Sequence, residues 1–474
     1  MSETNKPQSK EQVVHLYKKA ERIHPKKADG KYANIRIFMI IATQLFFYGM
    51  PWLMWDDRQA VWFDLMGRHF YIFGLVLMAN DLLLLTGLMM ISAFGLFWWT
   101  TIAGRLWCGY SCPQTVYTEI MLWIDHLVEG DRNKRLKLDK EPWNARKIRI
   151  KLTKYLLIFV VAAWTGITFA GWFTPIRQFV PDIFQGTAGN VALGTAFVYG
   201  LVTWLFGHIM REQVCLHMCP YARFQSAMFD HDTLIISYDA ARGEPRGARK
   251  KNAKPEDKPL GDCINCMACV QVCPTGIDIR DGLQYQCIGC AACIDACNEI
   301  MDKMNYPRGL IRYTTEGVLN KDYTDTDIKK RLARPKVMIY TTALVLAAVG
   351  LFAFAFTRDT LNVDVMKDRA VMARTNKQGL LENTYRLRFT NASEHPQRVK
   401  VSVSGLKDIR LTGQPENGTL VQGGGSEMIT VQVATQPEYA RKGSHPIEFT
   451  FTYFPDKAPN ETRELKEKAS FIGE

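Results

Sequence analysis

Eight cysteines between Cys263 and Cys297 constrain this chain more than any other feature. They stand at Cys263, Cys266, Cys269 and Cys273, then at Cys287, Cys290, Cys293 and Cys297, so the spacing C-x-x-C-x-x-C-x-x-x-C occurs twice. Three thiolates two residues apart let a tight loop wrap three corners of an Fe4S4 cube, and the fourth, remote cysteine ligates the neighbouring cube. The spacing predicts two [4Fe-4S] clusters held close together. Cys263, Cys266, Cys269 and Cys297 are expected on the first, and Cys273, Cys287, Cys290 and Cys293 on the second. Zinc sites close with four ligands in two separated pairs and need no such triplets. Pro274 follows the first run, while Asn298 stands where a second Pro often sits, which leaves the ligand set intact.

The double run resembles a two-cluster ferredoxin insert, which moves electrons one at a time. The four remaining cysteines of the 12 pair as Cys108 with Cys112 and Cys215 with Cys219, and none lies beyond Cys297. That distribution argues against structural disulfides and for reduced, metal-directed chemistry.

A mean hydropathy of -0.11 suggests a soluble protein. The average conceals apolar runs at Ile37–Trp55, Leu82–Ala103, about Tyr155–Phe173, about Val191–Met210 and Val337–Phe356. Each has the length, about 20 residues, that crosses a bilayer as a helix. Phe70–Ala79 is too short and reads as interfacial or re-entrant. Residues 1–34 are polar, with Lys6, Lys10, Lys18, Lys19, Arg22, Lys26, Lys27 and Lys31, and predict a basic cytoplasmic tail rather than a secretory signal. Lys and Arg crowd 104–154, at Arg105, Arg132, Lys134, Arg135, Lys137, Lys140, Arg146, Lys147, Arg149, Lys151 and Lys154. The positive-inside rule then places that loop, the N-terminus and the cluster segment in the cytoplasm, and five spans put the C-terminus in the periplasm. Much of the net charge of +12 is read as topology and lipid attraction, not nucleic-acid binding.

The expected organisation is a multi-domain membrane protein of the bacterial inner membrane. It comprises the tail (1–34), a four-helix membrane domain (35–210) with its 104–154 loop, and a cytoplasmic segment (211–335). That segment carries a ferredoxin-like α+β domain at about 258–302, after a linker at Ala240–Pro259. A fifth transmembrane helix (336–357) and a periplasmic domain (358–474) follow. In the last domain, period-2 runs at Tyr385–Phe389, Val399–Val403, Met428–Val433 and Ile447–Phe454 alternate with turn signals, the pattern of an immunoglobulin-like β-sandwich.

A second motif occurs twice. One apolar run leads into Cys108-Gly-Tyr-Ser-Cys112-Pro113, another into Cys215-Leu-His-Met-Cys219-Pro220. Pro favours the first helical position, which sets Cys112 and Cys219 at helix N-termini, where thiolates are favoured. Thiolates with nearby thioether or imidazole select Cu(I), and His217 and Met218 are adjacent. A further Fe–S cluster or a redox dithiol pair fits the same four cysteines, and buried inert cysteine is the plain alternative. His69, His126 and His208 lie near membrane boundaries and read singly as structural residues. No G-x-G-x-x-G follows a strand and opens a helix, so no flavin or nicotinamide site is visible and the electron donor is external. No C-x-x-C-H indicates haem.

CGYSCPQTV, CLHMCPYARFQ, the double cysteine run, PRGLIRY and the C-terminal domain together resemble the CcoG/FixG/RdxA family of cytochrome c oxidase accessory proteins, from about residue 35 to the end. The resemblance implies reduction of Cu(II) to Cu(I) for assembly of a cbb-type oxidase. The family's C-x-x-x-C-P cysteines fall on Cys108, Cys112, Cys215 and Cys219, and its cluster ligands on the eight listed first. The expected partners are membrane lipid, copper, an external donor, and oxidase assembly factors or a copper transporter, with a homodimer left open. The membrane half also looks like quinol-side subunits of nitrate- and nitrous-oxide-reductase chains. A quinol dehydrogenase, with Trp99 and Trp107 lining a quinone pocket, and a non-enzymatic copper chaperone or scaffold are the competing functions.

Overall fold

The computed structural model describes residues 22–78, 81–249, 260–322, 324, 332–368, 373–376, 378–454 and 462–473. Most of the basic tail, residues 250–259 of the expected linker and the start of the expected cluster domain lie outside the described residues.

In chain order, helix α1 (Lys31–Gly49) leads to strands β1 (Met54–Trp55), β2 (Arg58–Gln59), β3 (Val61–Asp64), β4 (His69–Ile72) and β5 (Leu75–Met78). Helices α2 (Leu82–Ala103), α3 (Leu106–Tyr110), α4 (Pro113–Glu129), α5 (Arg132–Lys140), α6 (Ala145–Ala170), α7 (Ile176–Gln185), α8 (Asn190–Trp204) and α9 (Pro220–Met228) follow. The cysteine-rich part contains β6 (Ile235–Tyr238), α10 (Ala240–Gly243), α11 (Ala268–Gln271), α12 (Ala292–Met304), β7 (Ile311–Thr314) and α13 (Glu316–Leu319). After α14 (Pro335–Thr357) come β8 (Leu361–Lys367), β9 (Arg374–Thr375), β10 (Leu381–Asn391), β11 (Gln397–Ser404), β12 (Arg410–Thr412), β13 (Thr419–Val421), β14 (Ser426–Thr435), β15 (Gly443–Tyr453) and β16 (Arg463–Gly473). The 104–154 segment is therefore mostly helical rather than an open loop.

The chain forms two compact units. The first contains Met1–Phe38, Ala103–Ile158 and Gly207–Asp325; the second contains Met39–Ile102, Phe159–Phe206 and Thr326–Glu474. Five helical stretches among the described residues are long and apolar enough to cross a membrane: Lys31–Trp52, Leu83–Ala103, Ala145–Ala170, Asn190–Met210 and Pro335–Thr357.

In the second unit, small residues let α6 and α8 approach closely. A Cβ on Gly166 would collide with the Ala196 carbonyl oxygen, and one on Gly200 would lie 3.0 Å from that of Ala162. Phe169 stacks on Tyr199 with centroids 3.8 Å apart. Close backbone contact of this kind replaces hydrophobic driving force where lipid surrounds the helices.

The stretch expected to be interfacial or re-entrant forms β4 and β5 of a three-stranded antiparallel sheet, β3-β4-β5. Its turns explain why. Asp64 Oδ1 accepts from the amides of Met66 and Gly67 and closes the first turn. The aromatic and branched residues of VWFD, HFYI and LVLM then pair across strands. His69 sits opposite Asp64 and Met78 in this sheet. Ala79 lies outside the described residues.

The C-terminal domain is a two-sheet sandwich. One sheet orders β12-β14-β10-β8, with β9 also on β10; the other orders β13-β11-β15-β16. Alternation along the strands sends Tyr385, Leu387, Phe389, Val431, Phe449, Phe451 and Phe471 into one core. His395 is exposed and His445 half-buried.

Replacing Gly166 with Ala should push α6 off α8. The expected loss is about 1–3 kcal/mol, read as a lower unfolding midpoint of the full-length protein in detergent, with Gly194→Ala, which has open space around it, as the neutral control.

Candidate iron–sulfur and metal site

The two cysteine runs fold alike. In the first, Asn265 and Met267 flank Cys266 with φ of 55° and 59°; in the second, Gly289 and Ala291 flank Cys290 with φ of 70° and 60°. Three of these four are not glycine, and left-handed backbone at non-glycine residues persists only where the surroundings demand it. Such alternation curls a loop into a concave anion-binding nest. Met267 and Ala291 cap α11 and α12, so each run passes directly from loop to helix.

The thiols of the two runs lie close enough to act on one another. Burial pushes Cys297 up to about 12, and Cys269, Cys266 and Cys263 add to the push. Burial does the same to Cys287, helped by Cys290 and Cys273. A small cavity is bounded by Cys273, Cys287, Cys290 and Cys293, with Cys269 at its edge. Clustered buried thiols raise each other's pKa because neighbouring thiolates repel, and a shared cationic iron core removes that penalty. This donor set fits two 4Fe-4S clusters. Cys266 is exposed, whereas Cys290 is buried. The strands around the run escaped sequence reading: β6 pairs with β7 across 235–238 and 311–314, and Tyr313 donates to Gly289 O at 2.9 Å. The expected linker is structured as far as its described residues go, with Arg242 on Asp262 at 2.6 Å and on the carbonyls of Arg308 and Pro307.

The two C-x-x-x-C-P motifs are backbone repeats as well. Four residues before the first cysteine of each, the chain turns left-handed, at Gly104 (φ 55°) and Arg211 (φ 43°). Cys112 and Cys219 are each the N-cap residue, with Pro next, of α4 and α9. The contacts are reciprocal. Gln114 of α4 donates to Arg211 O at 3.0 Å, and Gln225 of α9 donates to Gly104 O at 3.2 Å.

All four motif cysteines act on one another. Burial pushes the Cys108 thiol up to about 12, with Cys112, Cys215 and Cys219 adding to the shift and Arg105 opposing it. Cys215 is pushed equally far by burial, Cys112 and Cys219. The expected advantage of a helix N-terminus is real but outweighed: the amides of Gln114 and Thr115 lower Cys112 less than burial raises it. A soft metal would offset that burial. His217 and Met218 are exposed, whereas Cys215, in the same π-helical turn Val214–Met218, and Cys219, which follows it, are half-buried. Among the described residues, no three His, Cys, Asp or Glu side chains converge as tightly as one multiply coordinated metal ion requires.

The motif cage abuts the second cluster loop. A Cβ on Gly109 would lie 2.8 Å from the backbone of Gly289 and 2.9 Å from Cys290 Cα. Cys108 packs against the buried cluster that contains Ile288, Cys290 and Ala292. Arg105, 9% exposed, clamps the junction by donating to Cys287 O at 3.1 Å, to Tyr285 O, and to Ala222 O at 3.0 Å. Arg105 counts in the sequence only as one of the topology-setting charges, and Gln114 and Gln225 carry no sequence signal beyond their position beside each Cys-Pro motif.

Beneath the cage lies a buried charge network. Asp125 accepts a hydrogen bond from Arg211 at 2.6 Å and forms ion pairs with Lys154 at 3.2 Å and Arg135 at 3.7 Å. Glu129 takes Lys151 at 2.7 Å and Lys154 at 2.9 Å. Arg135, Lys147 and Lys154, which count in the sequence toward the orientation of the 104–154 segment, are buried and paired or hydrogen-bonded. His208 is buried beside Arg211, and His126 faces Arg135 at 3.5 Å.

Three stretches of the chain match known protein families. Residues 85–137 match a 4Fe-4S binding domain, 210–316 a 4Fe-4S dicluster domain, and 351–474 the IG-like fold at the C-terminal of FixG. Protein RdxB of Cereibacter sphaeroides is 37% identical over 89% of this chain and 90% of its own. Nitrogen fixation protein FixG of Rhizobium meliloti is 34% identical over 84% of this chain and 82% of its own. Protein RdxA of Cereibacter sphaeroides is 36% identical over 83% and 85%.

Burial alone would raise the Asp125 carboxyl, but Arg211 and Lys154 outweigh it and hold it at about 2. A depressed carboxyl contributes stability above its ordinary value, near 3.8, and loses it as pH falls toward 2. Asp125→Asn should therefore destabilise the full-length protein by about 3–5 kcal/mol at neutral pH and flatten its acid unfolding below the ordinary carboxylate value, read by pH-dependent unfolding.

Proposed function

The chain belongs to the FixG/RdxA family of 4Fe-4S proteins, and on that premise we propose that this iron–sulfur membrane protein reduces Cu(II) to Cu(I) at Cys108, Cys112, Cys215 and Cys219. The observation that carries the reading is the backbone contact of Gly109 with Gly289 and Cys290, which sets the thiol cage directly against the cluster loops. Two clusters, held by Cys263, Cys266, Cys269, Cys297 and by Cys273, Cys287, Cys290, Cys293, would supply one electron each. Cu(II) is the substrate: it takes one electron and becomes Cu(I). Thiolates favour Cu(I), so the cage lowers the energy of the product and retains it for hand-over. Two thiolates suffice to hold Cu(I), so the cage need not draw three ligands to one point.

Lys and Arg in 104–154 support a cytoplasmic face for the tail, cage and clusters, and a periplasmic sandwich, in the bacterial inner membrane. With cage and clusters on one face, no electron has to cross the bilayer. Recipients of Cu(I) would be assembly factors of a cbb-type oxidase or a copper transporter. One observation favours a second reading: both stretches matching 4Fe-4S families, 85–137 and 210–316, include the cage cysteines, so the cage could hold a third cluster instead of copper. A chaperone would bind copper without turnover.

Changing all four cage cysteines to Ser should leave about eight irons per chain, abolish Cu(I) binding and abolish Cu(II) reduction by dithionite-reduced protein. Loss of iron would establish the third cluster; unchanged Cu(II) reduction would remove the cage from the path. Gly109→Ala should separate the two loops and slow Cu(II) reduction about tenfold or more, since a misplacement of about 1 Å can cost about 100-fold, with iron and Cu(I) content unchanged.

A further inference from the structure

A cavity of about 510 Å³ opens in the cysteine-rich unit beside the second cluster loop. We propose that it binds a membrane quinol, the two-electron donor for the clusters; this rests on the electron-transfer reading above and supplies its missing source. One wall is Val272, Pro274 and Ala292, residues that flank or adjoin Cys273 and Cys293. The opposite wall is apolar, formed by Ile37 of α1 and by Leu122 and Trp123 of α4. Ligand sites combine mostly apolar walls with a few converging polar groups.

Two polar groups converge here. Glu119 Oε1 meets Arg36 Nη2 at 3.3 Å, which fixes the carboxylate and offers its second oxygen as a proton acceptor. His126 Nε2 faces Arg135 Nη2 at 3.5 Å. A guanidinium only donates, so Nε2 accepts and Nδ1 carries the proton. That N–H can donate to a ring oxygen. Burial and Arg135 lower the His126 pKa, which keeps the ring neutral.

The surroundings favour a lipid-soluble donor over a nucleotide. Leu127, at the cavity, is 80% exposed, and Ile35 and Phe38 of α1 are also exposed. No glycine-rich phosphate loop adjoins the cavity in sequence. Trp99 and Trp107, the residues expected at a quinone pocket, do not line it; Trp123 does.

The balance is simple. One quinol loses two electrons and two protons and becomes quinone; two Cu(II) become two Cu(I). The protons pass in turn to Glu119 and leave to water past Lys26 and Lys27 at the cavity edge.

The test uses full-length protein in nanodiscs, with decylubiquinone for binding and decylubiquinol for anaerobic cluster reduction. Saturable binding above that of empty nanodiscs is expected, with bleaching of the clusters by decylubiquinol. Leu122→Trp should weaken binding about tenfold or more with iron content unchanged. Glu119→Gln should bind normally and slow cluster reduction by about 100-fold. No binding above empty nanodiscs overturns the proposal, as does undiminished binding by Leu122→Trp or undiminished reduction in Glu119→Gln. If Leu122→Trp loses iron, Glu119→Gln decides alone. Dithionite-reduced wild-type protein separates the two readings: if it leaves Cu(II) unreduced while quinone binding persists, the copper reading falls and the quinol site stands.

Discussion

The contact between Gly109 and the Gly289–Cys290 backbone is the constraint on which the cysteine-rich unit depends. Any side chain at Gly109 would hold the motif cage away from the cluster loop. Arg105 seals the junction by satisfying carbonyls on the 285–287 segment and on α9. A guanidinium serves here because it presents several donors in one rigid fork. Its charge also opposes the upward shift of Cys108. One residue thus orders the backbone and eases the repulsion among thiolates.

A second layer of ion pairs positions that junction. Asp125 and Glu129 stand four apart on α4 and gather Arg135, Lys154, Arg211 and Lys151 from other segments. Buried charges carry a high desolvation cost, which close opposite charges offset. The chain before α1 is tied into the same unit. Arg135 donates to Pro25 O at 2.5 Å, the amide of Lys26 donates to Gln271 O at 2.8 Å, and Asp295 of α12 accepts the amide of Ala33 at 2.7 Å. The N-terminal segment therefore joins α5 to the cluster loops, and this places it along the edge of the large cavity.

What could be read in advance was whatever has a short-range period. Cysteine spacing, apolar runs of bilayer length, Cys-Pro at helix starts and the alternating strands of the sandwich are all local signals. What could not be read depends on distant partners. The β3-β4-β5 sheet hid because its strands are too short to separate alternation from a plain apolar run. β6 and β7 are more than seventy residues apart by number, so neither announces the other. The burial of Arg135 and Lys154 was not legible because a basic residue in sequence does not reveal its acid. Asp125 and Glu129, spaced i, i+4 on an otherwise apolar stretch of α4, were the visible hint. The π-helical turn that carries His217 and Met218 is not encoded in residue composition.

The central claim is that electrons held in the cluster loops pass to copper in the adjoining cage. Stopped-flow mixing of fully reduced protein with Cu(II) under anaerobic conditions tests this most directly, with cluster absorbance and Cu(I) formation followed together. The account predicts that both change at one rate and that about two Cu(I) form per chain, one for each electron stored in two clusters. Cluster oxidation without Cu(I), or Cu(I) appearing while the clusters stay reduced, would contradict it.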